Sequence, residues 1–258
     1  MSAYVRKSIA FWASTVVLVV FLVLNDASPF WVIIPILIFG LYVTYNSFHI
    51  EQNFFLESIV SGKPKKKGIA ITFDDGPNNT ITPKVLALLD KYNAKASFFC
   101  IGKNAEEYKE ILQQIDRAGH TIGSHSFSHD KWIDFLFTKK WINEIELANN
   151  TIESIIGKRP RFFRPPYGVT TYHLAKAIKR TKMLSIGWNI RSLDTMNNNV
   201  LEIVNRSTEN LKDGCIVLFH DNLDWSCDVL EEFLIRTQKL GLQVVPLPEL
   251  IEEKAYED

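Results

Sequence analysis

The chain has 258 residues, enough for one sizeable domain and a small additional segment. Its 29 basic and 29 acidic side chains give a formal net charge of zero, so its bulk charge supplies no argument for a nucleic-acid partner. The three cysteines form no Cys-x-x-Cys pair, which argues against a disulfide framework and against a cysteine-bound zinc ion.

Two uncharged segments near the N-terminus predict a pair of membrane helices. Residues 8–25 and 27–50 carry no charged side chain, and Asp26 lies in the turn between them. Each segment is close in length to the roughly 20 apolar residues that cross a bilayer as a helix. We therefore expect residues 1–50 to form a transmembrane helical hairpin that anchors the protein in the lipid bilayer. The alternatives are a signal peptide for the first segment and a buried core helix for the second.

Basic residues on both sides of this hairpin predict its orientation. Arg6 and Lys7 precede the first apolar segment, and a basic linker at 51–67 follows the second. By the positive-inside rule, both flanks are expected on the cytoplasmic side, which places the folded domain at 68–258 on the cytoplasmic face of the membrane. If only one segment crossed the bilayer, this orientation would reverse.

From residue 68 onward, short apolar strands alternate with amphipathic helices. This alternation predicts an α/β fold with a parallel sheet, and about seven repeats predict a distorted seven-stranded (β/α) barrel. The helix at 82–91 is expected to begin with Thr82 as its N-cap and Pro83 in its first turn. Predicted strands lie at 68–73, 96–102, 120–126, 161–164, 183–190, 215–221 and 242–247, and predicted helices at 82–91, 103–118, 138–156, 171–180, 199–211 and 227–240.

Polar side chains follow most of the predicted strands. The carboxyl ends of parallel strands share one rim, where the active sites of this architecture lie, so these side chains are expected to meet. They are Asp74 and Asp75 after the first strand, His125 and His129 after the third, Arg164 after the fourth, Asp194 beyond the fifth, and His220 and Asp221 at the end of the sixth.

The two histidines and one of the paired acids match a metal site. Two imidazoles and the carboxylate of Asp75 are the donor set of a catalytic zinc ion that keeps a position open for water. Taken alone, His125 and His129 are equally compatible with two loop histidines that share no task. Paired carboxylates at a buried strand end indicate a metal, a proton-transfer task, or both.

Five motifs, in this order, resemble the polysaccharide deacetylase or NodB-like family: TFDDGP at 72–77, HSFSH at 125–129, RPPYG at 164–168, SLD at 192–194 and VLFHD at 217–221. The resemblance extends from residue 68 to about residue 250. It implies a metal-dependent hydrolase that removes an N-acetyl or similar small acyl group from an amino-sugar glycan or a lipid-linked glycan precursor. An O-acetyl sugar esterase and a catalytically silent carbohydrate-binding protein are the alternatives.

The resemblance also implies which residues bind the metal and which one acts as the base. Asp75, His125 and His129 correspond to the metal ligands, with zinc the usual ion and cobalt or manganese also compatible. Asp74 corresponds to the general base that takes a proton from water. Arg164 corresponds to the residue that pairs with this base and keeps it ionised.

The acid and the pocket residues follow from the same resemblance. His220 corresponds to the general acid that protonates the departing amine, and Asp194 to the residue that orients it. An aspartate beside a histidine suits this task, because the anion stabilises imidazolium. The backbone N–H of Tyr167 is implied to bind the oxyanion, and Leu218 to line the pocket for the acetyl methyl group. Ser126 is implied to steady the loop between the two histidines.

Two positions depart from the family pattern. Thr195 stands where a tryptophan is frequent, and Arg191 stands where an acid is common. Arg191 either attracts an anionic group such as phosphate or pairs with a nearby acid of this chain. His120 is interpreted as a structural residue. Trp188 either lines the pocket or, as a strand aromatic more often does, belongs to the core.

Overall fold

The computed structural model describes residues 3–257, in which a helical hairpin precedes a curled α/β sheet. The strands are β1 (Ser58–Ile59), β2 (Ala70–Asp74), β3 (Ala96–Cys100), β4 (Thr121–Ser124), β5 (Phe162–Phe163), β6 (Leu184–Ile186), β7 (Ile190–Arg191) and β8 (Ile216–His220). The helices are α1 (Ala3–Leu24), α2 (Ile33–Ser47), α3 (Thr82–Lys91), α4 (Gly102–Glu107), α5 (Lys109–Arg117), α6 (Thr138–Ile156), α7 (Tyr172–Thr181), α8 (Val200–Thr208), α9 (Ser226–Lys239) and α10 (Leu247–Ile251).

The strands form one parallel sheet in the order β1-β6-β5-β4-β3-β2-β8-β7. β6 and β7 lie near opposite ends of this order, yet only residues 187–189 connect them. The two edges of the sheet must therefore curl toward each other. The expected distorted (β/α) barrel is confirmed as a curled parallel half-barrel, with eight strands in the described part of the chain rather than seven.

Residues of β2 alternate between the two sides of the sheet, and this alternation brings polar groups inside the barrel. Ile71 and Phe73 pack in the large apolar cluster that the sheet forms with the outer helices. Thr72 and Asp74 lie on the opposite side, where the buried side chain of Arg164 donates hydrogen bonds to both. The centre of the sheet therefore carries a polar, hydrogen-bonded interior toward its carboxyl end.

Arg164 also explains why the predicted strand at 183–190 is divided. Its guanidinium donates to the carbonyl oxygens of Ile186 and Gly187, at 3.2 and 3.0 Å. These carbonyls are the ones that a continuous strand would use in its ladder. β6 therefore ends at Ile186, and β7 begins only at Ile190 on the other edge of the sheet.

Three further segments differ from the sequence prediction. The predicted strand at 242–247 is wrong, because it forms only an isolated bridge between Val244 and Ile69. The predicted helix at 103–118 is divided at Tyr108 into α4 and α5. Within the range expected to be a linker, Ser58–Ile59 pairs with β6, where the Ser58 and Ser185 hydroxyls are 2.8 Å apart.

The expected N-cap of α3 is also wrong. Thr82 is the first helical residue, and the cap position is occupied by Ile81, whose side chain makes no capping hydrogen bond. The Thr82 hydroxyl instead donates to the Asp221 carboxylate at 2.5 Å. A tertiary contact with a buried acid has replaced the local capping bond.

The two apolar segments form the helical hairpin that the sequence predicts. Ala3–Leu24 and Phe30–Ser47 are long and apolar enough to cross a membrane by length and composition. Only 6% of the apolar window in the second helix is buried, which argues against a core helix. The hairpin base contacts the α/β domain, because Thr170 N–H donates to the carbonyl of Ser47 at 2.8 Å.

The buried His120 predicts a pH dependence of stability. Burial, assisted by the charge of Lys95, lowers the pKa of His120 from 6.5 to about 4, and its Nδ1 accepts a hydrogen bond from Ala96 N–H at 3.1 Å. The folded state therefore prefers the neutral ring. Its contribution to stability is complete above pH 6.5 and is lost as the pH falls from 6.5 toward 4, by at most about 1.4 kcal/mol per pH unit.

The variant His120→Asn keeps an acceptor for Ala96 N–H but does not titrate. We expect its free energy of unfolding to fall less than that of the wild type between pH 7 and pH 4.5. Denaturant unfolding of the full chain in detergent at several pH values measures this difference. Parallel pH profiles for the two proteins would contradict the assignment.

Candidate active site

The turn after β2 presents two carboxylates at the mouth of the half-barrel. Asp74 ends the strand, and Asp75 follows with a φ of +72°, a left-handed conformation that aspartate adopts more readily than most residues. Asn104 of α4 donates from its side chain to the carbonyl of Asp75 at 2.7 Å. The next residue must be glycine, because a Cβ on Gly76 would lie 2.4 Å from the buried carboxylate of Asp221.

The loop after β4 carries the two predicted histidine ligands and is held from two sides. Ser126 and His129 both have positive φ, and the Ser126 hydroxyl accepts a hydrogen bond from His129 N–H at 3.2 Å, as expected for a residue that steadies the loop. The carboxylate of Glu144, on α6, accepts three more hydrogen bonds from Phe127 and Ser128. The strained loop is therefore fixed before any ligand binds.

Asp75, His125 and His129 converge on one point. Asp75 Oδ1 lies 3.5 Å from His125 Nε2 and 3.3 Å from His129 Nε2, and the three possible ligand atoms are all within 4.8 Å of one another. His125 Nδ1 is 2.8 Å from the carbonyl oxygen of Arg164, so it donates there and leaves Nε2 as a lone-pair donor. Asp75 Oδ1 is buried without a hydrogen-bond partner. This arrangement fits a divalent metal ion.

Local charges favour the protonation states that metal binding requires. Burial raises the pKa of Asp75, but the close contact with His125 and its charge, with further charge from His220 and His129, outweigh burial and hold the pKa below its usual range. Burial and the neighbouring His125 lower the pKa of His129. An ionised carboxylate and a neutral imidazole therefore face each other across the site.

Asp74 is held separately, by a fully buried arginine. Arg164 Nη1 donates to Asp74 Oδ1 at 2.8 Å and to the Thr72 hydroxyl at 2.7 Å. The guanidinium also stacks on the Phe99 ring, 4.0 Å from its centroid. Asp74 Oδ2 takes no part in the bond with Arg164 and lies 4.0 Å from His125 Nε2. One carboxylate oxygen is fixed by the protein, and the other faces the metal-binding cluster.

On the opposite side of the cluster, His220 and Asp194 form a second pair. Asp194 accepts two hydrogen bonds at 2.8 Å, one from the backbone N–H of His220 and one from its Nδ1. Burial lowers the pKa of His220, but the hydrogen bond and charge of Asp194 outweigh this effect and raise the pKa to about 9. His220 Nε2 lies 4.0 Å from Asp75 Oδ2, so the free ring nitrogen faces the same centre.

These groups surround a pocket of about 180 Å³. Tyr167 has a φ of +58°, and its ring lies 4.6 Å from that of His129. Leu218 lines the wall on the β8 side and is almost completely buried. Trp188 does both of the things that the sequence left open, because it is half-buried against the inner apolar cluster and also lines the pocket. The pocket is lined by Asp74, Asp75, His125, His129, Tyr167, Gly168, Trp188, Arg191, Thr195, Leu218 and His220.

Seven of the site residues named from the sequence line this pocket, and Arg164 and Asp194 lie behind its wall, bonded to Asp74 and His220. The sequence alone did not identify Asn104 and Glu144 as residues that hold the ligand-bearing turns, because a polar residue in an amphipathic helix carries no local signal of such a role. Asp221 was recognised at a strand end, but its contact with Thr82 and its proximity to Gly76 were not.

Comparison with known proteins gives a consistent set of relatives. A family model described as polysaccharide deacetylase matches residues 61–186. The chain is 31% identical over 196 residues to a peptidoglycan-N-acetylglucosamine deacetylase of Bacillus cereus, and the match covers 74% of this chain and 71% of that protein. It is 35% identical over 191 residues to the peptidoglycan-N-acetylmuramic acid deacetylase PdaC of Bacillus subtilis, covering 74% of this chain and 40% of that protein.

Solved structures show the same likeness. The fold superimposes on the Bc1960 peptidoglycan N-acetylglucosamine deacetylase with a TM-score of 0.72 and 30% sequence identity. This match covers 77% of the present chain and 94% of the other. The helical hairpin at the N-terminus lies outside the segment that the family model matches.

The buried pair of Asp74 and Arg164 predicts a large loss of stability when its negative charge is removed. Asp74→Asn keeps an oxygen that accepts from Arg164 but leaves the buried guanidinium without a counter-charge. We expect the free energy of unfolding, measured by denaturant titration, to fall by about 3–5 kcal/mol. The control is Asp116→Asn, which breaks a more exposed ion pair with Lys158 and should cost less than about 1 kcal/mol. Similar small losses in both variants would contradict the assigned role.

Proposed function

The chain belongs to the polysaccharide deacetylase, or NodB-like, family, and from this premise we propose that it is a membrane-anchored, metal-dependent hydrolase that removes N-acetyl groups from an amino-sugar glycan or a lipid-linked sugar. One observation carries the proposal. The cluster of Asp75, His125 and His129 lies between a carboxylate held by a buried arginine and a histidine held by a buried aspartate. The relatives are named as deacetylases of N-acetylglucosamine and N-acetylmuramic acid in peptidoglycan, which supports an N-acetylated amino sugar as the substrate class.

The proposed cofactor is a divalent metal ion held by Asp75, His125 and His129, with zinc as the first choice and cobalt or manganese compatible with the same donors. When bound, such an ion supplies Lewis acidity that polarises an amide carbonyl and lowers the pKa of water from 15.7 to about 7. The protein contributes by fixing the ligands. Arg164 orients His125 through its carbonyl oxygen, and Asn104 holds the backbone of Asp75.

Asp74 is the proposed general base. Its Oδ1 is bonded to Arg164, which fixes the orientation of the carboxylate. Its Oδ2 faces the cluster and is the atom that takes a proton from the attacking water. The two adjacent acids at the end of β2 thus have separate proposed tasks, because one is bonded to the arginine and the other faces the two histidines.

His220 is the proposed general acid. As the carbon–nitrogen bond of the amide breaks, the amine is too basic to leave as an anion and must receive a proton. Nδ1 of His220 is bonded to Asp194, so the proton comes from Nε2, which faces the pocket. The products are acetate, which contains the oxygen of water, and the free amine of the sugar.

The pocket residues are proposed to select a small acyl group and to stabilise its negative charge. The buried side chain of Leu218 closes one wall, where it would contact the acetyl methyl group. The backbone N–H of Tyr167 is proposed to donate to the oxyanion, and its positive φ is a feature found where active sites hold strained backbone. The small volume of the pocket favours acetyl or formyl over longer acyl chains.

We also propose that α1 and α2 anchor the enzyme in the bilayer. Their exposed apolar surfaces have no protein partner to cover them within the described residues. The hairpin base is bonded to Thr170, three residues beyond Tyr167 at the pocket. The pocket therefore lies close to the membrane-proximal end of the domain, which favours substrates held at the membrane surface. The cytoplasmic location stays a prediction from the basic flanks.

The proposed function predicts a specific dependence on the leaving group. With a divalent metal, the wild type should release acetate from N-acetylated chitooligosaccharides. His220→Asn keeps a donor toward Asp194 but lacks the Nε2 proton. We expect this variant to lose about 100- to 10,000-fold in amide hydrolysis. Hydrolysis of 4-nitrophenyl acetate, whose leaving group needs no proton, should change by less than about tenfold on the same reasoning.

The matched control is His173→Asn, which changes a histidine that lies outside the pocket and should leave both activities unchanged. Equal losses with the two substrates would contradict the acid role of His220. Acetate release from O-acetylated sugars without any release from N-acetylated ones would show an esterase instead. Absence of both activities in the metal-loaded wild type would contradict the hydrolase assignment.

A further inference from the structure

Arg191 lies at the rim of the pocket without a task in the proposed reaction. We propose that Arg191 binds an anionic group, a phosphate or a carboxylate, carried by the amino-sugar substrate. This inference rests on the proposed function, since it names the chemical class of the substrate that the same pocket accepts. It concerns recognition rather than the chemical step.

The backbone fixes the position of Arg191. β7 pairs with β8 so that Arg191 lies opposite Leu218, and the N–H of Ser192 donates to the carbonyl of Leu218 at 3.3 Å. Ile190, one residue earlier, is buried in the core, so the alternation of the strand directs Arg191 to the other side. Arg191 is exposed and lines the same pocket as the proposed catalytic groups.

No acid within residues 3–257 forms an ion pair with Arg191. Within the same residues, Arg191 also makes no side-chain hydrogen bond. The comparison with Arg164 is direct, because that guanidinium is bonded to Asp74 and to three further oxygen atoms. The described residues therefore do not support the alternative that Arg191 pairs with a nearby acid.

The contact that Arg191 does make orients it without using its hydrogen-bond donors. Its guanidinium carbon lies 5.7 Å from the centroid of the Trp188 ring, within the range of a cation–π interaction. Such a contact leaves the five N–H donors available to an oxyanion in a bidentate geometry. The guanidinium of Arg191 is therefore suited to bind an oxyanion.

Trp188 also lies close to Arg164 and to Gly168. The same ring is 5.6 Å from the guanidinium carbon of Arg164, which supports the base, and a Cβ on Gly168 would lie 2.5 Å from it. Arg191 and Trp188 line the same small pocket as the proposed catalytic groups. The anion that Arg191 binds is therefore placed on the sugar that bears the acetamide or on its immediate neighbour.

The charges of the pocket are compatible with an anion at this rim. Asp74 is paired with Arg164, and Asp75 faces two histidines and the proposed metal, so neither carboxylate is left to repel a ligand near Arg191. The positive charge of Arg191 therefore favours anionic over neutral sugars.

The test compares three monosaccharide probes of similar size: N-acetylglucosamine 1-phosphate, N-acetylmuramic acid and the neutral methyl N-acetylglucosaminide. We expect Arg191→Gln to lower kcat/KM for at least one anionic probe by about 10- to 100-fold, mainly through KM, as expected for loss of a charge-assisted hydrogen bond. The neutral probe should change by less than about twofold on the same basis. Arg191→Lys should retain part of the effect, because it keeps the charge but loses the bidentate fork.

The control variant is Arg117→Gln, which removes an exposed arginine at the end of α5, near the opposite end of the sheet from the pocket. A loss confined to the phosphate probe or to the carboxylate probe identifies which anion the site accepts. Equal effects of Arg191→Gln on anionic and neutral probes, or no effect on any of them, would overturn the proposal.

A binding measurement separates this inference from the proposed function. Calorimetric titration with glucosamine 1-phosphate, with muramic acid and with glucosamine needs no turnover. Weaker binding of either anionic compound to Arg191→Gln, with unchanged binding of glucosamine, supports the anion site even if no probe is hydrolysed, in which case the proposed function has failed and the inference has not. Unchanged binding of both anionic compounds in the variant contradicts the anion site independently of activity.

Discussion

The buried guanidinium of Arg164 is the constraint on which the site and much of the fold depend. It donates hydrogen bonds to Asp74 and Thr72 on β2 and to two backbone carbonyls at the end of β6. A fully buried charge is tolerated only when it is paired and its donors are satisfied. The same bonds that satisfy it connect the central strand to the far side of the half-barrel and end β6 where the chain must cross to β7.

This single side chain also joins the two halves of the candidate chemistry. Its guanidinium fixes one oxygen of Asp74, and its own carbonyl accepts from the imidazole of His125. Residues with strained backbone lie near Arg164 at the carboxyl-end rim of the half-barrel. Of the eleven non-glycine residues with positive φ in the described chain, four lie at the site: Asp75, Ser126, His129 and Tyr167. Strain of this kind persists only where hydrogen bonds over-determine it, which is the role of Asn104 and Glu144.

The motifs at the strand ends allowed the parallel sheet and most of the site residues to be predicted from the sequence. Parallel strands bring their carboxyl ends to one rim, and this does not depend on the exact bounds of the helices between them. The predictions of secondary structure that are wrong have a common cause, because each depends on tertiary contacts that the local sequence does not show. The strand at 183–190 is divided by a distant arginine, Thr82 bonds to Asp221 instead of capping its helix, and the apolar segment at 242–247 has too few pairing partners to form a strand. Glu144 accepts a hydrogen bond from the loop that precedes its helix, and nothing in the sequence of that helix indicates this contact.

Anomalous X-ray scattering from crystals of the full chain grown with zinc tests the central claim most directly. The account predicts one peak at the zinc absorption edge within about 2.0–2.2 Å of Asp75 and of both His125 and His129. It also predicts that Asp74 remains bonded to Arg164 and outside the coordination sphere. A peak that excludes Asp75, or one coordinated by Asp74 after its bond with Arg164 has broken, would contradict the division of the two carboxylates on which the proposed reaction rests.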